Sequence, residues 1–328
     1  MNPINEKLRI KNVVLPNRLV MPPMATSRSI GGAITPELLA YYNEKSQGGH
    51  IGLIITEHCY VSLEGKASIR QTSISSDDDI AGWKRLVDLI HGNNTIVFAQ
   101  ISHAGGATTS EITGLNPLSA SAINIPRNNN EALPQEMNDH DIAKVISDFA
   151  AAALRAKQAG FDGVEIHSAH GYLLNQFYSP FTNKRTDKYT GASVEGRIRL
   201  HLEIIAAIKE AVGPDYPLAL RLGACDYLDG GTTIDHSIQA AQEFEKAGID
   251  ILDITGGLLG YSNPDSTKPG WFASLSQAIK ENVTIPVLLT GGIVDGVSAN
   301  DLLATNKADL IGVGRSIMKD SNWAKNNL

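Results

Sequence analysis

The sequence predicts an α/β fold, a (β/α)8 TIM barrel forming a single domain with capping loops over residues 1–328, and three observations carry that expectation. Short apolar segments alternate with helix-patterned segments along the whole chain. The turns Ala159-Gly160-Phe161-Asp162 and Ala247-Gly248-Ile249-Asp250 repeat one theme, a helix stop followed by a strand start, as a glycine C-cap gives. The chain holds eight such units in 328 residues. Strands alternating with helices imply parallel pairing through right-handed crossovers, and eight units fit a closed barrel. A doubly wound sheet is the alternative, but the first strand lacks the Gly-x-Gly-x-x-Gly turn of such sheets.

Taken in order, the expected strands are Leu19 to Met21, Leu53 to Thr56, Ile96 to Ile101 and Gly163 to His167, then Leu218 to Leu222, Ile251 to Ile254, Val287 to Thr290 and Leu310 to Val313. Helix patterns rich in Ala, Leu and charge run from Asp139 to Ala159, Val194 to Val212, Ile234 to Ala247 and Ser298 to Thr305. The segment Ala104 to Met137, with Gly105-Gly106, Pro117, Pro126 and Asn128-Asn129-Asn130, is a long connection expected to cap the barrel mouth. Gly256 to Gly270 is a second candidate rim.

Composition narrows the class of function. A net charge of −7 and a pI near 5.7 argue against a nucleic-acid partner, which normally requires a basic patch. No apolar run approaches the ~20 residues that span a bilayer. The start, Met1-Asn2-Pro3-Ile4-Asn5-Glu6, has no basic region leading into an apolar one, so no secretory signal is expected. Cys59 and Cys225 lie far apart, with neither metal spacing nor a disulfide framework. The expectation is a cytoplasmic enzyme acting on small molecules.

In such a barrel the chemistry sits at the C-terminal strand ends. The fourth strand is the most informative. Val164 and Ile166 share one face, Glu165 and His167 the other, and the chain then turns through His170 and Tyr172. The third strand ends in Gln100, Ser102 and His103, the last of which also reads as a capping or structural histidine. Arg221 on the fifth faces away from three leucines and hence inward, where Glu165 is a candidate ion-pair partner. The seventh and eighth end in Thr290-Gly291-Gly292 and Gly312-Val313-Gly314-Arg315. Glycines there let backbone N–H groups approach an anion, which suggests a phosphorylated ligand paired with Arg315. His167 and His170 also read as a metal pair, but no carboxylate or cysteine is spaced to supply a third ligand.

Several ordered blocks then carry a resemblance. They are Leu15-Pro16-Asn17-Arg18-Leu19-Val20-Met21-Pro22-Pro23-Met24, Gln100-Ile101-Ser102-His103-Ala104-Gly105-Gly106, the run from His167 to Phe177, Asn183-Lys184-Arg185-Thr186-Asp187, and the run from Ala308 to Arg315. Over nearly its whole length the chain resembles the old yellow enzyme family of FMN-dependent NADH:flavin oxidoreductases. The resemblance implies FMN as cofactor and NADH or NADPH as reductant. It puts Gln100 at the flavin ring edge, Arg221 near the N1–C2 carbonyl region, and the backbone of Pro23, Met24 and Ala25 against the ring. Gly291, Gly292, Gly314 and Arg315 would hold the phosphate. His167 and His170 would bind a carbonyl or nitro oxygen of an α,β-unsaturated substrate, with hydride arriving at its β-carbon and Tyr172 protonating the α-carbon. The implied activity is ping-pong reduction of activated alkenes.

Departures from the family pattern qualify this. Ala25 and Ser27 stand where some bacterial members have cysteine and tyrosine beside the flavin. The sequence ends at Trp323-Ala324-Lys325-Asn326-Asn327-Leu328, without the extension by which some relatives place an arginine in a neighbour's pocket. An active site shared in that way is therefore not expected, while a homo-oligomer stays open. No cysteine cluster of the dienoyl-CoA reductase type is present, so electrons are expected directly from the nicotinamide. The competing readings are a reductase dedicated to one enone-bearing metabolite, a metal- or lysine-dependent barrel lyase, and a flavin-binding protein without turnover.

Overall fold

The computed structural model describes residues 2–126 and 132–328; Met1 and the expected loop residues Asn128, Asn129 and Asn130 lie outside them. Eight strands surround one axis: β1 (Leu19–Met21), β2 (Leu53–Ile55), β3 (Ile96–Ser102), β4 (Gly163–Ser168), β5 (Leu218–Gly223), β6 (Ile251–Thr255), β7 (Val287–Thr290) and β8 (Leu310–Gly312). Each pairs in parallel with its sequence neighbours. β8 returns to β1, Ile311 against Leu19 and Gly312 against Val20, so the barrel has no open edge. The expected strands are all present, with ends shifted by one residue at most. The eight helices that follow them are α1 (Pro36–Ser46), α2 (Ile80–Gly92), α3 (Asp139–Gln158), α4 (Val194–Val212), α5 (Ile234–Ala247), α6 (Ala273–Lys280), α7 (Gly296–Ala304) and the short α8 (Arg315–Lys319). Several of their starts are fixed by side-chain caps, as at Asn138, which accepts from the N–H groups of His140 and Asp141.

Alternation along the strands builds two separate apolar regions. Outward residues such as Val164, Ile166, Leu220 and Leu222 join the helices in the main core. Inward residues near the N-terminal strand ends, among them Val20, Leu53, Phe98, Ala219 and Leu310, pack with Ile10 and Leu15. Those two belong to an antiparallel hairpin, Leu8–Ile10 with Val13–Leu15, which closes the base. The mouth is left to the polar layers above.

One aspartate device recurs between strands. Asp162, Asp250 and Asp309 immediately precede β4, β6 and β8. Each carboxylate accepts an N–H from the first or second residue of the preceding strand: Val97 at 2.9 Å, Leu218 at 2.9 Å and Val287 at 3.0 Å. Each aspartate N–H in turn donates to the carbonyl of that same residue. The pair of bonds fixes the register of β3 with β4, β5 with β6, and β7 with β8. Replacing Asp250 by alanine leaves the N–H of the buried Leu218 unpaired, and should lower the unfolding free energy by about 1–3 kcal/mol. Urea titration reads this, with turnover per folded molecule expected to stay unchanged because Asp250 lies at the opposite end of the barrel from the mouth.

Candidate active site

The layer above the apolar base is polar because β3, β4, β5 and β6 place Gln100, Glu165, Arg221 and Asp253 on their inward faces. Gln100 donates from Nε2 to Glu165 Oε1 at 2.8 Å. Arg221 Nε lies 3.1 Å from Asp253 Oδ2, although neither atom is in a well-aligned hydrogen bond. The ion pair differs from the one expected. Asp253 is the direct register partner of Arg221 on the neighbouring strand, whereas Glu165 is level with Ala219, two residues nearer the base. Burial pushes the Glu165 carboxyl well above its usual range, and the charge of Asp253 adds to this against Arg221 and Gln100. Burial also lifts Asp253 to about 6, with Arg221 pulling it back. With one guanidinium for two buried carboxyls, and that guanidinium against Asp253, the proton is favoured on Glu165.

The next layer is a wall of rings. His167 comes from β4, and His170 and Tyr172 from the turn beyond it. Their rings meet edge to face, with centroids 5.1 Å apart for His167 and His170 and 5.0 Å for His167 and Tyr172. The chain reverses there through left-handed backbone at His170 (φ 59°) and Gly171 (φ 78°). Such a conformation is uncommon away from glycine, and histidine is among the residues that tolerate it. His170 Nε2 lies 3.1 Å from Thr255 Oγ1. Burial, followed by the charge on His170, pushes His167 well below the ordinary imidazole value, so it is neutral. Burial pushes Tyr172 up to about 12, so its phenol keeps its proton.

The remaining walls come from loops. The segment after β1 supplies Pro23, Met24 and Ala25, and is anchored where the Thr26 N–H donates to the buried Glu57 carboxylate at 2.8 Å. The loops after β7 and β8 supply Gly291, Gly292, Gly314 and Arg315. A Cβ on Gly292 (φ 63°) would stand 2.6 Å from the Trp271 ring, and one on Gly314 would stand 2.8 Å from Met24 Sδ. The Arg315 guanidinium sits over the Trp271 ring, 5.0 Å from its centroid. Both long connections reach the same space, through Pro126 and through Tyr261 and Thr267.

These walls enclose a cavity of about 900 Å³, and every residue singled out from the sequence for catalysis or cofactor contact lines it. His103 does not. It is buried, and its Nδ1 accepts from the Gly105 N–H at 3.0 Å, which is the capping role. The sequence reading missed four neighbours of the site: His58, Trp271, Lys319 and Asp253, the first three of which line the cavity. Asp253 had the same signal as Arg221, a charge alternating with aliphatic residues on a strand. Among the described residues, no group of three or more His, Cys, Asp or Glu side chains is arranged to hold a metal.

Residues 3–327 match the model of the NADH:flavin oxidoreductase / NADH oxidase family. The chain belongs to this family. An NADH oxidase of Thermoanaerobacter brockii is 40% identical over 324 residues, covering 97% of this chain and 49% of that protein. A metal reductase of Desulforamulus reducens is 37% identical over 95% of this chain and 46% of its own length. The chain therefore spans about half the length of these two curated relatives. An NADPH dehydrogenase of Halalkalibacterium halodurans is 38% identical and matched over 96% of this chain and 91% of its length. Among solved structures, a 2-naphthoyl-CoA reductase in complex with 2-naphthoyl-CoA superposes with TM-score 0.93 at 27% identity, over 99% of this chain and 52% of that one. Morphinone reductase superposes with TM-score 0.86 at 26% identity, over 99% and 89%. The resemblance to the old yellow enzymes holds, and with the family comes FMN as cofactor.

The residues present fit that cofactor. The cavity is of the size that ligand pockets of this kind have. Around it, the buried polar atoms Trp271 Nε1 and His167 Nδ1 have no hydrogen-bond partner in the protein. Buried polar atoms are normally paired, so these await a polar ligand. The floor can be tested without it. Arg221→Met strands Asp253 and should destabilise the apoprotein by about 3–5 kcal/mol. Adding Asp253→Asn should recover a large part of that loss in urea unfolding, because the uncompensated charge is then gone.

Proposed function

We propose that residues 1–328 act as one FMN-binding unit that reduces the activated C=C bond of α,β-unsaturated carbonyl or nitro compounds at the expense of NADH or NADPH. One observation supports this most: a single cavity joins a wall of proton-bearing rings to a buried guanidinium and two glycine loops. The chemistry supplied by bound FMN is hydride transfer in two stages, in from the nicotinamide and out to the β-carbon of the acceptor, which gives ping-pong order.

The protein's own part is to hold and to polarise. Gly291, Gly292, Gly314 and Arg315 hold the phosphate, in the position where barrels of this type commonly bind one. Gln100 would bond the flavin ring edge, with the backbone of Pro23, Met24 and Ala25 as a further wall for it. Arg221 presents a fixed cation where negative charge collects on reduction, an electrostatic stabilisation already organised before the reaction. At the other wall, His167 and His170 donate to the carbonyl or nitro oxygen and draw charge onto it. Tyr172 then passes its proton to the α-carbon. Its high pKa keeps that proton in place until a carbanion-like centre develops, and the depressed pKa of His167 keeps that ring a neutral donor. The cavity accommodates small molecules, and neither a nucleic acid nor a membrane is needed as partner. Among the described residues, no helix is long and apolar enough to cross a membrane.

Anaerobic titration tests the reading. NADH or NADPH should bleach the yellow protein and 2-cyclohexenone should restore the colour; a preparation that neither binds FMN nor responds to either reagent overturns it. Tyr172→Phe should slow reoxidation by cyclohexenone about 10²- to 10⁴-fold and leave reduction by the nicotinamide nearly unchanged in stopped flow. Because the Tyr172 pKa is raised and that of His167 is lowered, neither group changes charge between about pH 6 and 9. The reoxidation rate should therefore stay flat across that window, and a step within it would assign the proton to another group.

A further inference from the structure

His58 lines the cavity, yet neither the family motifs nor the proton-transfer scheme above uses it. It stands three residues beyond β2, with its ring centroid 6.1 Å from that of His167 and 5.4 Å from that of Tyr172. Its surroundings decide where its proton sits. Gln71, itself buried, accepts the Ala67 N–H at Oε1 over 2.6 Å. A backbone N–H requires an oxygen, so the other end of the amide is the NH₂ group. That nitrogen lies 2.8 Å from His58 Nδ1. An amide nitrogen only donates, so Nδ1 must accept and carries no hydrogen. The Ser102 hydroxyl, 3.3 Å from Nδ1, sits on the same edge and is itself within reach of a Gln71 hydrogen. The ring proton is left on Nε2, on the edge away from Gln71. Protonating Nδ1 would set two donors against each other, and burial, helped by the Arg221 charge, pushes the ring down to about 4. His58 is therefore a permanent neutral donor with one N–H. By contrast, His167 Nδ1 is buried without any protein partner, so no such bond fixes its tautomer.

We propose that His58 is a specificity residue whose Nε2–H binds a second oxygen of the acceptor, so that the pocket favours nitroalkenes and other acceptors with paired oxygens over simple enones. This rests on the ene-reductase reading above and adds a substrate class to it. An acceptor with one oxygen is satisfied by His167 and His170. One with two leaves an oxygen free for the donor on the adjacent ring, and each such bond in a desolvated site discriminates strongly against ligands that lack it. Gln71 serves as the positioning residue, acting only through His58.

The experiment uses the holoenzyme with 1-nitrocyclohexene and 2-cyclohexenone, which share a ring and differ in oxygen count. His58→Ala should raise KM for the nitroalkene about tenfold with kcat nearly unchanged, and should leave KM for the enone within about twofold. His58→Gln, which keeps an N–H donor, should recover part of the preference, and Gln71→Leu should lose part of it. ¹⁵N-edited NMR of the histidines should show His58 protonated on Nε2 alone from pH 5 to 9. Equal effects on both substrates, or an Nδ1–H tautomer, would overturn the proposal. So would a shifted flavin potential with unchanged discrimination, which would mean that the donor serves the cofactor. If neither alkene reoxidises the flavin, the reductase reading falls. Binding of nitrobenzene against benzaldehyde, read from flavin absorbance, then still decides the role of His58.

Discussion

The site depends on one constraint: a closed barrel sends every second strand residue inward, and what arrives there has no water to meet it. At the base the problem is solved with hydrocarbon, Phe98, Ala219 and Leu310 sealed by the hairpin residues Ile10 and Leu15. Two residues further along β3 and β5 the arrivals are Gln100 and Arg221, joined by Glu165 from β4 and Asp253 from β6. A guanidinium held 3.1 Å from Asp253 is tolerable there because the carboxylate partly neutralises it, and burial beside Asp253 favours the neutral form of Glu165. The cation at the floor is thus restrained in charge as well as in place. It faces the same cavity as the rings of His167, His170 and Tyr172.

Much of this was legible in the residues. The eight strands were readable because their ends are set by local signals, glycine C-caps and turn aspartates, and their inward faces by strict alternation. The ring wall was readable because His167, His170 and Tyr172 lie within six residues of one another, so their meeting needs only a strand and a turn. What was not legible is lateral. Arg221 could be given an inward direction from its neighbours, but its partner depends on strand register, which pairs it with Asp253 and sets Glu165 two residues away. Trp271 and Lys319 were invisible for the same reason. Each reaches the cavity from a loop or the end of a short helix, with no periodicity to point it there. His58 was hidden by its place beyond a strand end, in a stretch where composition reads as ordinary loop.

The loops after β3 and β4 bind each other closely, which explains why so many polar residues of the family block stay away from the cavity. Arg185 donates to the carbonyls of Ala120 and Met137 and pairs with Asp187. Asn183 donates to the carbonyls of Phe177 and Tyr189 at 2.8 Å. Gln176 joins the two loops directly, accepting from the Gly106 N–H and the Ser119 hydroxyl and donating to the Ala104 carbonyl. These side chains hold the turn that carries His170 and Tyr172, so the reactive groups rest on a braced platform.

The three aspartate clamps divide the chain in a way the continuous barrel conceals. Each ties two consecutive strands and their intervening helix into a hydrogen-bonded module: β3 with β4, β5 with β6, β7 with β8. The joints between modules, β4 to β5 and β6 to β7, have no such latch in the same style. An exchange of segments between relatives would therefore do least harm with its crossovers at these joints, after β4 or after β6. The imidazoles and phenol of the ring wall would then travel as one cassette, and the fifth and sixth strands, with the guanidinium and its carboxylate partner, as another.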